Sequence, residues 1–184
     1  MEHHLKKKLL SLARMVLENE LYDSQHNLYL YNIDTLQQKN GVFVTLLKNG
    51  HLRGCIGRIE SDLPLYQNVV DLSKSAAFND HRFDRVTAKE LEKITIEISI
   101  LSIPKIVEGI SSFEKIMKIR PKKDGVVLAA GGKKATFLPQ VWDSLAIRED
   151  FISDLCRKAG LNKDYWKKNQ IEISTYQVDF FKED

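Results

Sequence analysis

A cysteine held between glycines and preceded by an arginine is the part of this chain best equipped for chemistry. In HLRGCIGR, residues 51–58, Arg53, Gly54, Cys55 and Gly57 fall within five positions. A thiol reacts as its thiolate, and a guanidinium beside it favours that form. Cys55 is therefore a candidate nucleophile, and Arg53 a candidate thiolate activator or anion clamp. Gly54 and Gly57 remove side chains, so a ligand or another backbone segment can approach closely. The same letters also describe a crowded strand in which Cys55 is a small apolar residue and the glycines relieve packing. Arg53 in a covered sheet needs an anion. An internal carboxylate such as Asp80 or Asp84 would serve, as would a bound ligand.

A second cluster lies in NDHRFDR, residues 79–85, where Asp80, His81, Arg82, Asp84 and Arg85 are ionisable. His81 could shuttle protons, and Asp80 or Asp84 could orient it or meet a partner's cation. A solvated charged loop is the competing reading, and nothing in the sequence turns this loop toward Cys55. His51 and Cys55 are four apart but sit on an expected strand, and no C-x-x-C or H-E-x-x-H pair occurs, so no metal site is expected. Without a Walker loop, dinucleotide fingerprint or serine elbow, no cofactor is expected either.

These residues need a frame. Leu5, Leu9, Leu12, Ala13, Val16 and Leu17 recur at helical spacing and predict a helix from about Leu5 to Leu21. LYLYNI, residues 28–33, reads as a short strand. GVFVTLLKNGHLRGCIG reads as a hairpin about Asn49-Gly50, a turn pair that tolerates positive φ. Strict alternation then sets Lys48 opposite His51, Leu46 opposite Arg53 and Val44 opposite Cys55, with Arg53, Cys55 and Gly57 on one face. PLYQNVVDLSKSAAF predicts a second helix, and TAKE (87–90) a capping box opening a short one. ITIEISILS alternates as a half-buried strand. Ser111 and Glu114 suggest another capping box. DGVVLAAGGKKATFLPQ predicts a hairpin about Gly131-Gly132, and IREDFISDLCRKAGL a helix closed by Gly160. QIEISTYQVDFF changes phase between Ile173 and Tyr176, which a bulge near Ser174-Thr175 would reconcile. Hairpins with interspersed helices and no regular βαβ crossovers predict an α+β fold, with a mainly antiparallel sheet flanked by helices.

The chain has 184 residues, 43% of them hydrophobic and 29% charged, ordinary for a globular protein with one core or two small lobes sharing one. No apolar run is long enough to span a membrane, and the basic start continues as an amphipathic helix rather than a signal peptide. Two distant cysteines, Cys55 and Cys156, give no disulfide framework and fit a reducing cytoplasm. Between Lys115 and Lys134 stand seven Lys/Arg and a single acid, Asp124, a local +6 in a chain of net +3. Such a window can draw phosphate-bearing partners, including nucleic acid. A solvated lysine-rich face explains it as well, because no aromatics interleave the charges.

LRGCIG with FVTLLKNG before it, then AAFNDHRF, ELEKITIEISILSIP, DGVVLAAGGKKATFLPQVW and CRKAGL, resembles the AMMECR-one domain family, whose microbial members are called AmmeMemoRadiSam system protein A. The resemblance runs from about Leu5 to Phe181 with its blocks in family order. It implies one domain over 1–184, built as two packed lobes around a cleft, and association with Memo-type and radical-SAM proteins. It carries over Arg53, Gly54, Cys55 and Gly57 as the signature, Asp80, Arg82 and Phe83 as the charged loop, and Pro139 and Gln140 as a cleft wall. The family's DPRF has proline where this chain has His81, which argues against a general role for that histidine. Three readings follow: a cysteine-dependent enzyme or substrate-binding subunit taking a small anionic or electrophilic group, a protein-docking or regulatory module, and a nucleic-acid-associated regulator using the basic window.

Overall fold

The computed structural model of the protein describes residues 1–31 and 34–184. Over these the chain divides into two compact units, one of Met1–Leu101 with Asp179–Asp184, the other of Ser102–Val178. Each carries its own four-stranded antiparallel-paired sheet and its own apolar cluster. The α+β expectation holds.

The first unit opens with helix α1 (His3–Tyr22), whose Leu5, Leu9, Leu12, Ala13, Val16 and Leu17 are buried as their spacing requires. The expected strand at 28–33 is instead a 3-10 turn over Leu28–Tyr31, and its last two positions lie outside the described residues. Strands β1 (Val42–Lys48) and β2 (His51–Arg58) form the hairpin, with Asn49 and Gly50 both at positive φ. Helix α2 (Leu65–Phe78), the short α3 (Ala88–Leu91) and β3 (Ile94–Leu101) follow. The sheet order is β2-β1-β3-β8, where β8 is Val178–Lys182, so β2 is an edge strand. Val42, Val44, Leu46, Ile94, Ile96, Ile98 and Ile100 share a core with α1 and α2. Phe43, Thr45, Leu47, Thr95, Glu97 and Ser99 therefore occupy the opposite face.

Arg14 of α1 donates to the carbonyls of Leu91 and Ile94 and pairs with Glu183, whose carboxylate also receives the Ile96 amide. One guanidinium thus ties α1 to the end of the sheet.

The second unit holds β4 (Lys105–Ile106), α4 (Ser112–Met117), the hairpin β5 (Gly125–Ala130) and β6 (Lys133–Phe137), α5 (Arg148–Lys158), α6 (Tyr165–Lys168) and β7 (Glu172–Tyr176), in sheet order β4-β7-β5-β6. Its core is built around Trp142, Phe151, Ile152 and Leu155. Trp142 stacks on Phe151 at 3.7 Å between centroids and donates its indole N–H to the Asp124 carbonyl at 2.8 Å. The phase change in QIEISTYQVDFF is not a bulge. The chain leaves one sheet at Tyr176 and enters the other at Val178, so each half follows the parity of its own sheet.

Candidate functional site

The hairpin register departs from strict alternation where it matters most. Lys48 pairs with His51 and Leu47 with Leu52, but Leu46 pairs with Gly54, Thr45 with Cys55, Val44 with Ile56 and Phe43 with Gly57. Arg53 is the extra residue of a β-bulge, which shifts every later pair by one. Cys55 stands opposite Thr45, not Val44, and Arg53 does not share an alternating face with it.

Each glycine of the signature has a structural occupant. A Cβ on Gly54 would lie 2.1 Å from the Ala76 carbonyl oxygen, so α2 rests directly on the strand there. A Cβ on Gly57 would lie 2.2 Å from the Phe43 ring, which covers that position from the neighbouring strand. The glycines admit protein, a helix backbone and a ring.

Arg53 is likewise engaged. Its Nε and Nη2 donate to the two carboxylate oxygens of Glu90 at 3.1 and 3.2 Å, and Nη1 donates to the Asp84 carbonyl at 2.8 Å. The anion it needs is Glu90 rather than Asp80 or the Asp84 side chain. Glu90 also receives Lys48 Nζ and, as the far end of the Thr87 capping box, the Thr87 amide and hydroxyl. Hydrogen bonds from Arg53 first, then Lys48, hold its carboxyl far below the usual range in spite of burial.

The charged loop after α2 turns back onto the free edge of β2. Asp80, only 6% exposed, accepts the Cys55 amide at 2.9 Å, the Arg82 amide at 3.2 Å, and Arg82 Nε and Nη2 at 2.9 and 2.7 Å. Arg82 Nη2 also donates to the Cys55 carbonyl at 3.1 Å. Both outward main-chain groups of Cys55 are thus capped by an Asp–Arg pair, which closes the strand edge at that point. The Arg82 hydrogen bond is the main cause that drives the Asp80 carboxyl far below the ordinary range, with the two amides adding to it against burial. Arg82 is in turn held more firmly charged by that bond to Asp80, against burial, and then by the charge of Asp80. The guanidinium that touches Cys55, at its main-chain carbonyl, is therefore Arg82's rather than Arg53's.

The sulfur itself is half-buried and accepts a hydrogen bond from Thr45 Oγ1 at 3.2 Å. Cys156, in contrast, is fully buried in the second core, where desolvation pushes its thiol up.

Arg53, Arg82, Phe83 and half-buried Glu90 line a polar depression of about 480 Å³ together with exposed His81 and Asp84. Pro139 and Gln140 belong to the second unit, where they begin a 3-10 turn over Pro139–Asp143. In the basic window, Lys115 donates to the Ile171 carbonyl, Lys118 to the Glu108 carbonyl and Glu114, and Lys133 to the Gly160 carbonyl, while Arg120 pairs with Asp124. Much of that charge serves local structure. Among the described residues, no three His, Cys, Asp or Glu side chains cluster as a cation site, and no helix is long and apolar enough to cross a membrane.

Sequence reasoning missed Glu90 as the partner of Arg53. The signal was present, since Glu90 ends the TAKE capping box, but helix capping hides a second role. It also gave Glu97 and Ser99 no attention beyond their place in an alternating strand.

Comparison with known proteins agrees with this architecture. The AMMECR1 family model matches residues 10–181. A protein of Methanothermobacter thermautotrophicus is 37% identical over 96% of this chain and 93% of its own length. Protein MJ0810 of Methanocaldococcus jannaschii is 34% identical over 93% of this chain and 86% of its own. The crystal structure of the uncharacterised protein PH0010 from Pyrococcus horikoshii superposes with a TM-score of 0.90 at 29% identity, covering all of this chain and 94% of that one. A family match across nearly the whole length, with relatives of similar size, places this chain in the AMMECR1 family.

Proposed function

We propose that the chain is a cysteine-dependent, substrate-handling protein, with Cys55 as the thiol that meets a small substrate. The observation that carries this reading is one of elimination. Gly54, Gly57, Arg53 and Asp80 are each consumed by the fold, whereas the Cys55 sulfur is left half-buried and hydrogen-bonded only by Thr45 among the described residues. Structural cysteines are commonly packed in apolar cores, as Cys156 is. The family resemblance supports a place beside Memo-type and radical-SAM proteins, to which this chain would present or receive substrate.

Alkylation of the native protein, read by peptide mapping, tests the role of Cys55. Cys55 is expected to label in folded protein while Cys156 stays silent until unfolding. Thr45→Val is expected to change Cys55 labelling by about threefold to tenfold, the worth of one ordinary hydrogen bond. Labelling of both cysteines only on unfolding would make Cys55 a packing residue and leave docking as the function, to be pursued by copurification of the Cys55→Ser chain with coexpressed Memo-type and radical-SAM proteins.

A further inference from the structure

Three strands of the first sheet bring a row of polar side chains together on the face away from α1 and α2. Cys55 on β2 is opposite Thr45 on β1, and Thr45 is opposite Glu97 on β3. Ser99, two positions along β3, stands on the same face opposite Phe43. Cys55 and Glu97 are thus two inter-strand steps apart, about 10 Å between Cα atoms, with only the short Thr45 side chain between them.

Glu97 and Ser99 stand on this face without side-chain hydrogen bonds to the described residues. Glu97 is half-buried and makes no side-chain hydrogen bond among the described residues; its charged neighbour is exposed Lys182. Ser99 is 6% exposed and also lacks a side-chain hydrogen bond among the described residues, and what surface it keeps includes the hydroxyl oxygen. A half-buried carboxylate and a hydroxyl that make no side-chain hydrogen bond on this face can each take one from a ligand. On the other side of Cys55 the Arg82 charge is met by Asp80, whereas Glu97 leaves a carboxylate beyond Thr45 without a hydrogen-bonded partner among the described residues.

We infer that the substrate handled at Cys55 carries a protonated amine, which Glu97 and Ser99 receive while its reacting group lies at the sulfur. Glu97 supplies the charge and Ser99 an additional acceptor. Burial raises the carboxyl of Glu97, and Lys182 opposes that shift, so a bound cation would hold Glu97 in its ionised form. The inference rests on the reading of Cys55 as a substrate-contacting thiol.

Three methanethiosulfonates that differ only in the group they carry test it: the methyl, the cationic 2-aminoethyl and the anionic 2-sulfonatoethyl reagents. In each, the thiolate displaces methanesulfinate and a disulfide forms, so the chemistry is constant. A two-carbon amine placed on the sulfur extends over Thr45 toward Glu97. The rate ratio of aminoethyl to sulfonatoethyl reagent at Cys55 is expected to fall about fivefold in Glu97→Gln, the effect of one partly screened charge. It should be retained in Glu97→Asp, and the methyl rate should be unchanged in both. Equal methyl rates and silent Cys156 show that the variants are folded. An unchanged ratio in Glu97→Gln overturns the amine inference while leaving Cys55 as the substrate thiol. Failure of the methyl reagent to reach Cys55 in native wild-type protein overturns both.

Discussion

Asp80 and Glu97 are carboxylates of the same unit whose environments push in opposite directions. Asp80 has a depressed carboxyl, chiefly through Arg82, so the folded state binds fewer protons than the unfolded one near pH 4. Its contribution is complete at neutral pH and is lost as pH falls from about 5 toward and below 2. Glu97 is raised by burial, so the folded state holds its proton longer, and stability declines as pH rises through the range just above about 4.3. Asp80→Asn should therefore cost about 2 kcal/mol at pH 7 and a smaller part of that at pH 3, the remainder going only below about pH 2, the pair being discounted because Arg82 is half-exposed. Glu97→Gln should stabilise at pH 7 relative to pH 3. Denaturant midpoints of both variants at the two pH values check this. Parallel profiles would mean that the two carboxyls do not sit in the opposed environments described.

At the level of elements, the contact between β2 and α2 explains more of the signature than its chemistry does. In Gly54→Ala the new methyl would meet a helix carbonyl, which neither side can move without shifting a whole element. A loss of about 3 kcal/mol is expected. In Gly57→Ala the obstacle is the Phe43 side chain, which can rotate, so the loss should be nearer about 1 kcal/mol. Urea midpoints that rank these two the other way would refute the packing account. Much of this frame was legible in the sequence. The Asn49-Gly50 turn, the α1 and α2 faces, the ITIEISILS alternation and the hairpin about Gly131-Gly132 all follow from local chemistry. The register beyond Leu46 was not, because a bulge adds a residue without changing the residue types that mark a strand. The return of Asp80 and Arg82 to the Cys55 main chain was not either, since 25 residues and a helix separate Asp80 from Cys55 and local pattern carries no information about how a chain closes on itself. The transfer of the chain between sheets at Gln177 showed only as a change of parity, which a bulge and a change of sheet produce alike.

At the scale of the whole molecule, the two apolar clusters make separate predictions possible. Both tryptophans, Trp142 and Trp166, lie in the second unit, so intrinsic tryptophan fluorescence reports on that unit. Phe151 is fully buried there, stacked on Trp142 and edge-on to Phe137 at 5.3 Å. Phe151→Ala removes a large ring from a closed core and should cost about 3–5 kcal/mol. The tryptophan transition and the exposure of Cys156 to alkylation should move together to lower denaturant, because both groups line the same cluster. Amide exchange in β5 and α5 should accelerate. Exchange in α1 and β1, which pack in the other cluster, should keep its wild-type protection in native buffer. If protection in β1 fell by the same factor as in β5, the two clusters would be one cooperative core, and the sheet carrying Cys55, Thr45 and Glu97 would owe its order to the second unit rather than to α1 and α2.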